Sequence, residues 1–82
     1  MGEFKNNEIS YRLAQDGMVR LTVYDLKGRA IRVLVDEHQE AGEQRVLWDG
    51  RDMENRVAAA GTYFYRLETE DTRLVRRMVL LK

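Results

Sequence analysis

The sequence has no cysteine, no proline, one histidine, one serine and no net charge, since 14 Lys and Arg balance 14 Asp and Glu. Without cysteine there is no disulfide framework, no thiolate zinc site and no thiol nucleophile. A neutral total removes the bulk attraction to nucleic acid or anionic lipid that a basic domain has. The apolar run Met78–Leu81 is far short of the roughly 20 residues that cross a bilayer as a helix. Met1–Asn7 is polar and holds no secretory h-region, so the signal of an exported protein would lie elsewhere. Glycine-rich phosphate loops and His/Cys clusters of metal-binding spacing are missing too.

What is present suits one small globular domain. The length of 82 residues allows a single unit. A hydrophobic fraction of 44% beside 34% charged residues is too apolar for a disordered tail. The dominant period is two. Ile9, Tyr11 and Leu13 alternate with polar residues, as do Val19, Leu21 and Val23, then Ile31, Val33 and Val35. Val46 and Trp48 share a side, Tyr63, Tyr65 and Leu67 repeat the alternation, and Leu74–Leu81 is an apolar run broken by Arg76-Arg77. Successive strand side chains point to opposite faces, so this pattern predicts half-buried strands.

The punctuation agrees. Asp16-Gly17, Asp25-Leu26-Lys27-Gly28, an acidic loop Asp36–Glu40 closed by Ala41-Gly42, Asp49-Gly50, Gly61 and Glu70-Asp71-Thr72 all read as turns. Asp first and Gly fourth in Asp25–Gly28 is a type I turn signature, and Asp49 is placed to cap the turn that follows it. Turn signals at this spacing predict a sandwich or a barrel. Met53–Ala60 has helical composition but room for two turns at most, and reads as a loop. With Val19, Leu21, Val23, Tyr63, Tyr65 and Leu67 turned inward, alternation sends Tyr24, Leu34, Leu47 and Phe64 outward. Such residues either form a contact patch or are covered by edge loops.

The candidates for chemistry are few. His38 lies among acids, and Ser10 is the sole serine to complete a triad with it, with no recognisable motif around either. Asp49, Asp52 and Glu54 offer hard oxygens for Ca²⁺ but lack the EF-hand order, and two of them are ordinary turn formers. Tyr63-Phe64-Tyr65 would stack sugars or bases only if the tyrosine face were exposed, and Leu67 on that face marks it as core. Arg73, Arg76, Arg77 and Lys82 are a basic group, yet neighbours in a strand face opposite ways, so Arg76 and Arg77 do not share a surface. No catalytic residue, metal ligand or cofactor site is assigned.

Three ordered blocks carry a resemblance. They are Val19–Arg29, then Ala41-Gly42-Glu43 through Trp48-Asp49-Gly50-Arg51-Asp52, then Ala60–Leu67, followed by Arg77–Lys82. In this order the chain, over about residues 8–82, resembles the immunoglobulin-like domain first named for the flagellar hook-capping protein. It is also similar to the C-terminal sorting and attachment domains of type IX secretion substrates. It departs from them in having Phe4-Lys5-Asn6-Asn7 where a proline-containing segment usually opens the domain, and Gln15-Asp16 and Glu40-Ala41 without proline before Gly17 and Gly42.

The resemblance implies an antiparallel immunoglobulin-like β-sandwich. It also implies a non-catalytic role as a sorting or attachment module of a larger bacterial protein, secreted or held at the cell surface. The alternative is a carbohydrate-binding or spacer module appended to a secreted hydrolase. The expectation is therefore an all-β sandwich of six or seven strands over residues 8–82, preceded by a flexible segment or cloning remnant over residues 1–7. Arg76, Arg77 and Lys82 are the expected contacts for secretion machinery, a cell-surface component or the parent protein's other domains. Proline-free edges and an apolar last strand would also let two copies pair strand to strand.

Overall fold

The structure is a computed structural model that describes residues 7–81; the expectations for residues 1–6 and for Lys82 fall outside the described residues. Six strands follow one another: β1 (Glu8–Leu13), β2 (Gly17–Tyr24), β3 (Ala30–Gln39), β4 (Gly42–Leu47), β5 (Gly61–Glu68) and β6 (Arg73–Leu80). They form a two-stranded sheet, β1-β4, and a four-stranded sheet in the order β3-β2-β5-β6. Every pairing is antiparallel, and there is no helix among the described residues. The all-β immunoglobulin-like sandwich expected from the sequence is what the chain adopts.

Alternation explains the core. Val19, Leu21 and Val23 of β2 and Tyr63 and Leu67 of β5 are buried, with Met78 and Leu80 of β6 beside them. Ile9 and Leu13 of β1 close the cluster from the other layer, with Tyr11 and Val46 packed against it. Tyr65 is half-buried on the same inner face, where it pairs with Val23 on one side and Arg76 on the other.

Two expectations about β3 need correction. Strict alternation turns Leu34 outward, but the register slips twice against β2. Leu21 pairs with Val35 while Thr22 pairs with Val33, so Leu34 is an extra residue; Ile31 is extra in the same way between Arg32 and Ala30. Each bulge changes which way the following side chains point. Leu34 and Ile31 therefore pack on the core, and Val33 takes the outer face beside Thr22. The acidic stretch read as a loop is strand as far as Gln39, because Asp36–Gln39 continue the ladder opposite Gly17–Arg20. Edge strands tolerate such charge because one side of the ladder faces water.

The two-stranded sheet is narrow, and the segment after it completes the layer. Trp48 leaves β4 and is fully buried. Its backbone N–H donates to the Asn7 carbonyl at 2.9 Å, and its carbonyl accepts from Asn7 Nδ2. Its Nε1–H donates to the Arg51 carbonyl at 2.9 Å. The indole meets Tyr63 edge-on, with centroids 5.1 Å apart, and the Tyr63 hydroxyl donates to the Ala59 carbonyl at 2.6 Å. The chain then folds back on itself through an Arg51–Val57 bridge and an Ala58 N–H to Gly50 carbonyl bond of 2.8 Å. Met53–Ala60 is thus a loop, as its length required.

Removing the indole leaves a cavity between the layers and strands the Arg51 carbonyl. Trp48→Ala is expected to lower stability by about 3–5 kcal/mol, measured by urea unfolding followed by far-UV circular dichroism. A loss below about 1 kcal/mol would show that the ring does not join the two layers.

Candidate functional site

Two turns at one end of the sandwich are built alike, residue for residue. In Asp25-Leu26-Lys27-Gly28-Arg29, Gly28 N–H donates to the Asp25 carbonyl at 3.0 Å and Asp25 N–H to the Arg29 carbonyl at 3.0 Å. The Asp25 carboxylate accepts from the Lys27 and Arg29 N–H groups and from Arg29 Nε, each at 2.9 Å. In Asp52-Met53-Glu54-Asn55-Arg56 the Asp52 carboxylate does the same with Glu54, Arg56 and Arg56 Nε, at 2.9, 2.9 and 3.2 Å. Each turn needs one residue at positive φ, supplied by Gly28 (85°) and Asn55 (65°). Glycine and asparagine are the residues that enter this region at least strain.

These bonds set the carboxyl ionisation. The Arg29 N–H is the chief cause that holds Asp25 below the usual carboxylate range, against partial desolvation that acts the other way. The Arg56 N–H does the same for Asp52, again opposed by desolvation. The second position of each turn is then free to face outward: Leu26 is 66% exposed and Met53 58%. Residues of both turns line one hollow, Arg29, Ala30 and Ile31 from one side and Asp52, Met53, Glu54 and Arg56 from the other.

The outer face of the four-stranded sheet is the second surface. Register places Tyr24 beside Phe64, and Phe64 beside Arg77; Thr22 lies beside Arg66, and Arg66 beside Val75. The Arg66 guanidinium sits 4.8 Å from the centre of the Tyr24 ring and donates to its hydroxyl. Arg66 also approaches Glu68 at 3.5 Å. Tyr24, Leu26, Phe64, Arg66 and Val75 border a hollow of about 290 Å³. Tyr24 and Phe64 were legible as outward aromatics; Arg66 was not, because only the register shows that it covers Tyr24. The buried Thr22 hydroxyl beneath this face has no hydrogen-bond partner.

The other residues singled out from the sequence are not assembled into a site. Ser10 pairs with Arg45 in the two-stranded sheet and His38 with Met18 in the four-stranded one. Asp49 accepts the Arg51 N–H at 3.0 Å, the cap expected of it, and meets Arg32 Nη1 at 3.3 Å. Glu54 pairs with Arg56 at 2.8 Å. Among the described residues no three His, Asp or Glu groups converge as metal ligands. Tyr63 is buried and Phe64 lies on the opposite face, so the three aromatics form no common platform. Arg76 lies opposite Tyr65 on the inner side and Arg77 opposite Phe64 on the outer side.

Fold and surface together define an immunoglobulin-like β-sandwich module. The FlgD Ig-like domain family matches residues 5–73, and the chain belongs to that family. Its structure is similar to that of FlgD from P. aeruginosa, with a TM-score of 0.71 and 28% identity over 89% of this chain. This chain spans 59% of the length of that one. No curated protein matches the sequence.

The paired turns generate a pH prediction. A carboxyl held lower in the folded state stabilises above the unfolded value of about 3.9 and loses that contribution as pH falls through the folded value. Replacing both acids, Asp25→Asn with Asp52→Asn, is expected to lower Tm at pH 7, with the gap to the parent closing below about pH 4. A gap of constant size from neutral to strongly acidic pH would show that ionisation of these carboxyls does not matter.

Proposed function

We propose that this domain is a non-catalytic module that holds or positions a larger bacterial protein outside the cell, acting through the exposed surfaces of its four-stranded sheet. Membership of the FlgD Ig-like family supports an assembly role. The observation that carries the reading is how the reactive side chains are used. Asp25, Asp49 and Asp52 hold turns, Tyr63 and Trp48 hold the core, and Val75 and Arg77 of the outer face remain exposed. The tyrosine platform that the sugar-binding alternative relied on is not available, because Tyr63 is buried and Tyr65 lies on the core side.

Within this role, the sorting function implied by the type IX resemblance assigns Arg76 and Arg77, both exposed on β6, to contact with export or surface components. A fluorescent reporter fused to the whole chain is expected to appear outside a type IX-competent cell, and Arg76→Glu with Arg77→Glu to retain it inside. Equal export of both fusions would remove these arginines from the function, and no export of either would end the sorting reading. A hook-assembly role is favoured by the likeness to P. aeruginosa FlgD across 89% of this chain. Exchanging the matching part of that FlgD for this domain is expected to preserve swimming in soft agar, and non-motile cells with a folded chimera would count against it.

A further inference from the structure

The two edges of the four-stranded sheet carry opposite charge. β6 bears Arg73, Arg76 and Arg77 and no acid, while the last half of β3 bears Asp36 and Glu37, with Glu40 just past its end. All six are exposed. Arg73 pairs with Glu68 at 3.3 Å; the other five have no oppositely charged group of a described residue within ion-pair distance. Both strands are outermost in the sheet, so each has an unpaired row of backbone groups.

We propose that the basic edge β6 of one copy pairs with the acidic edge β3 of the next, so that this domain associates head to tail with itself. The inference rests on the reading of the domain as an interaction module and names a second copy as the partner of its edges. Strand direction permits it without inversion. In the order β3-β2-β5-β6 with every neighbour antiparallel, β3 and β6 run oppositely, so a copy moved sideways presents its β3 antiparallel to β6.

One register satisfies all the charges. With Arg77 opposite Asp36, Arg76 falls opposite Glu37 and Arg73 opposite Glu40, while Met78 meets Val35. Faces are kept, because Arg73 and Arg77 lie on the outer side of the sheet with Asp36, and Arg76 and Glu37 on the inner side. The stretch of β3 used, Val35–Gln39, lies beyond both bulges and runs in regular register. Opposite charges placed across strands stabilise a pair and like charges oppose it. A symmetric pair of β6 strands centred on Val75 would set Arg73 opposite Arg77, and one centred on Arg76 would set that guanidinium against its twin. Charge therefore favours the unlike edges over the symmetric dimer that the lack of proline alone would allow, and head-to-tail contacts of this kind extend into rows.

Sedimentation velocity of the full chain tests this with two charge-reversed variants, Asp36→Arg/Glu37→Arg and Arg73→Glu/Arg77→Glu. The parent is expected to associate with rising concentration at low salt, and at least about tenfold more weakly in high salt. Each variant alone presents two edges of the same net sign and is expected to stay monomeric, while an equimolar mixture restores association through the unaltered β6 of one and the unaltered β3 of the other. Unchanged far-UV circular dichroism and Trp48 fluorescence confirm that the variants fold; Asp36→Asn/Glu37→Gln replaces the β3 variant, or Arg73→Gln/Arg77→Gln the β6 variant, if either does not. A parent that is monomeric at every concentration overturns the inference, and so does a β3 variant that associates as the parent does. Either result leaves attachment to a different partner standing, since export and motility are read separately.

Discussion

The indole of Trp48 is held mainly by the backbone. Asn7 accepts its backbone N–H and donates to its carbonyl, the Arg51 carbonyl takes the indole N–H, and Tyr63, anchored to Ala59, packs against the ring in a T-shaped pair. This arrangement matters because the layer containing β1 and β4 has only two strands, and a two-stranded ribbon is marginal in water by itself. An aromatic ring of this size supplies the buried area that missing strands would otherwise supply. The excursion Gly50–Ala60 closes over the ring and serves as the rest of the layer. Sheet, loop and ring thus form one packing unit.

The uses made of polar side chains follow from that thinness. With few strands to carry backbone hydrogen bonds, the connecting segments depend on their own side chains. Asp25 and Asp52 each accept two N–H groups and a guanidinium, and Asp49 accepts one N–H and faces Arg32. Carboxylates engaged in this way have few lone pairs left for a metal or a substrate. What the molecule offers instead is surface: an aromatic hollow crossed by Arg66, apolar turn tips at Leu26 and Met53, and two strand edges of opposite sign.

Much of this was legible in the residues. Period-two patterning located all six strands, and Asp25–Gly28 announced its turn. The split of Arg76 from Arg77 also followed from local rules. Three features did not follow, each for a stated physical reason. The bulges at Leu34 and Ile31 insert a residue without any glycine to mark them, so alternation misplaced Leu34. Asp36–Gln39 looked like a loop because charge in an edge strand and charge in a loop read the same in sequence. The cover of Tyr24 by Arg66 depends on residues 42 positions apart, and only strand register brings them together.

The uneven division of strands also bears on how the molecule breathes. The central pair β2 and β5 is flanked on both sides, whereas β1 and β4 each have one hydrogen-bonded neighbour. Local opening starts where neighbours are fewest. The short ribbon can therefore lift away while the broad sheet persists, and it takes the clasp between Asn7 and Trp48 with it. Amide protons of β1 and β4 then exchange with solvent ahead of those in β2 and β5, so the molecule has a loose side and a firm side.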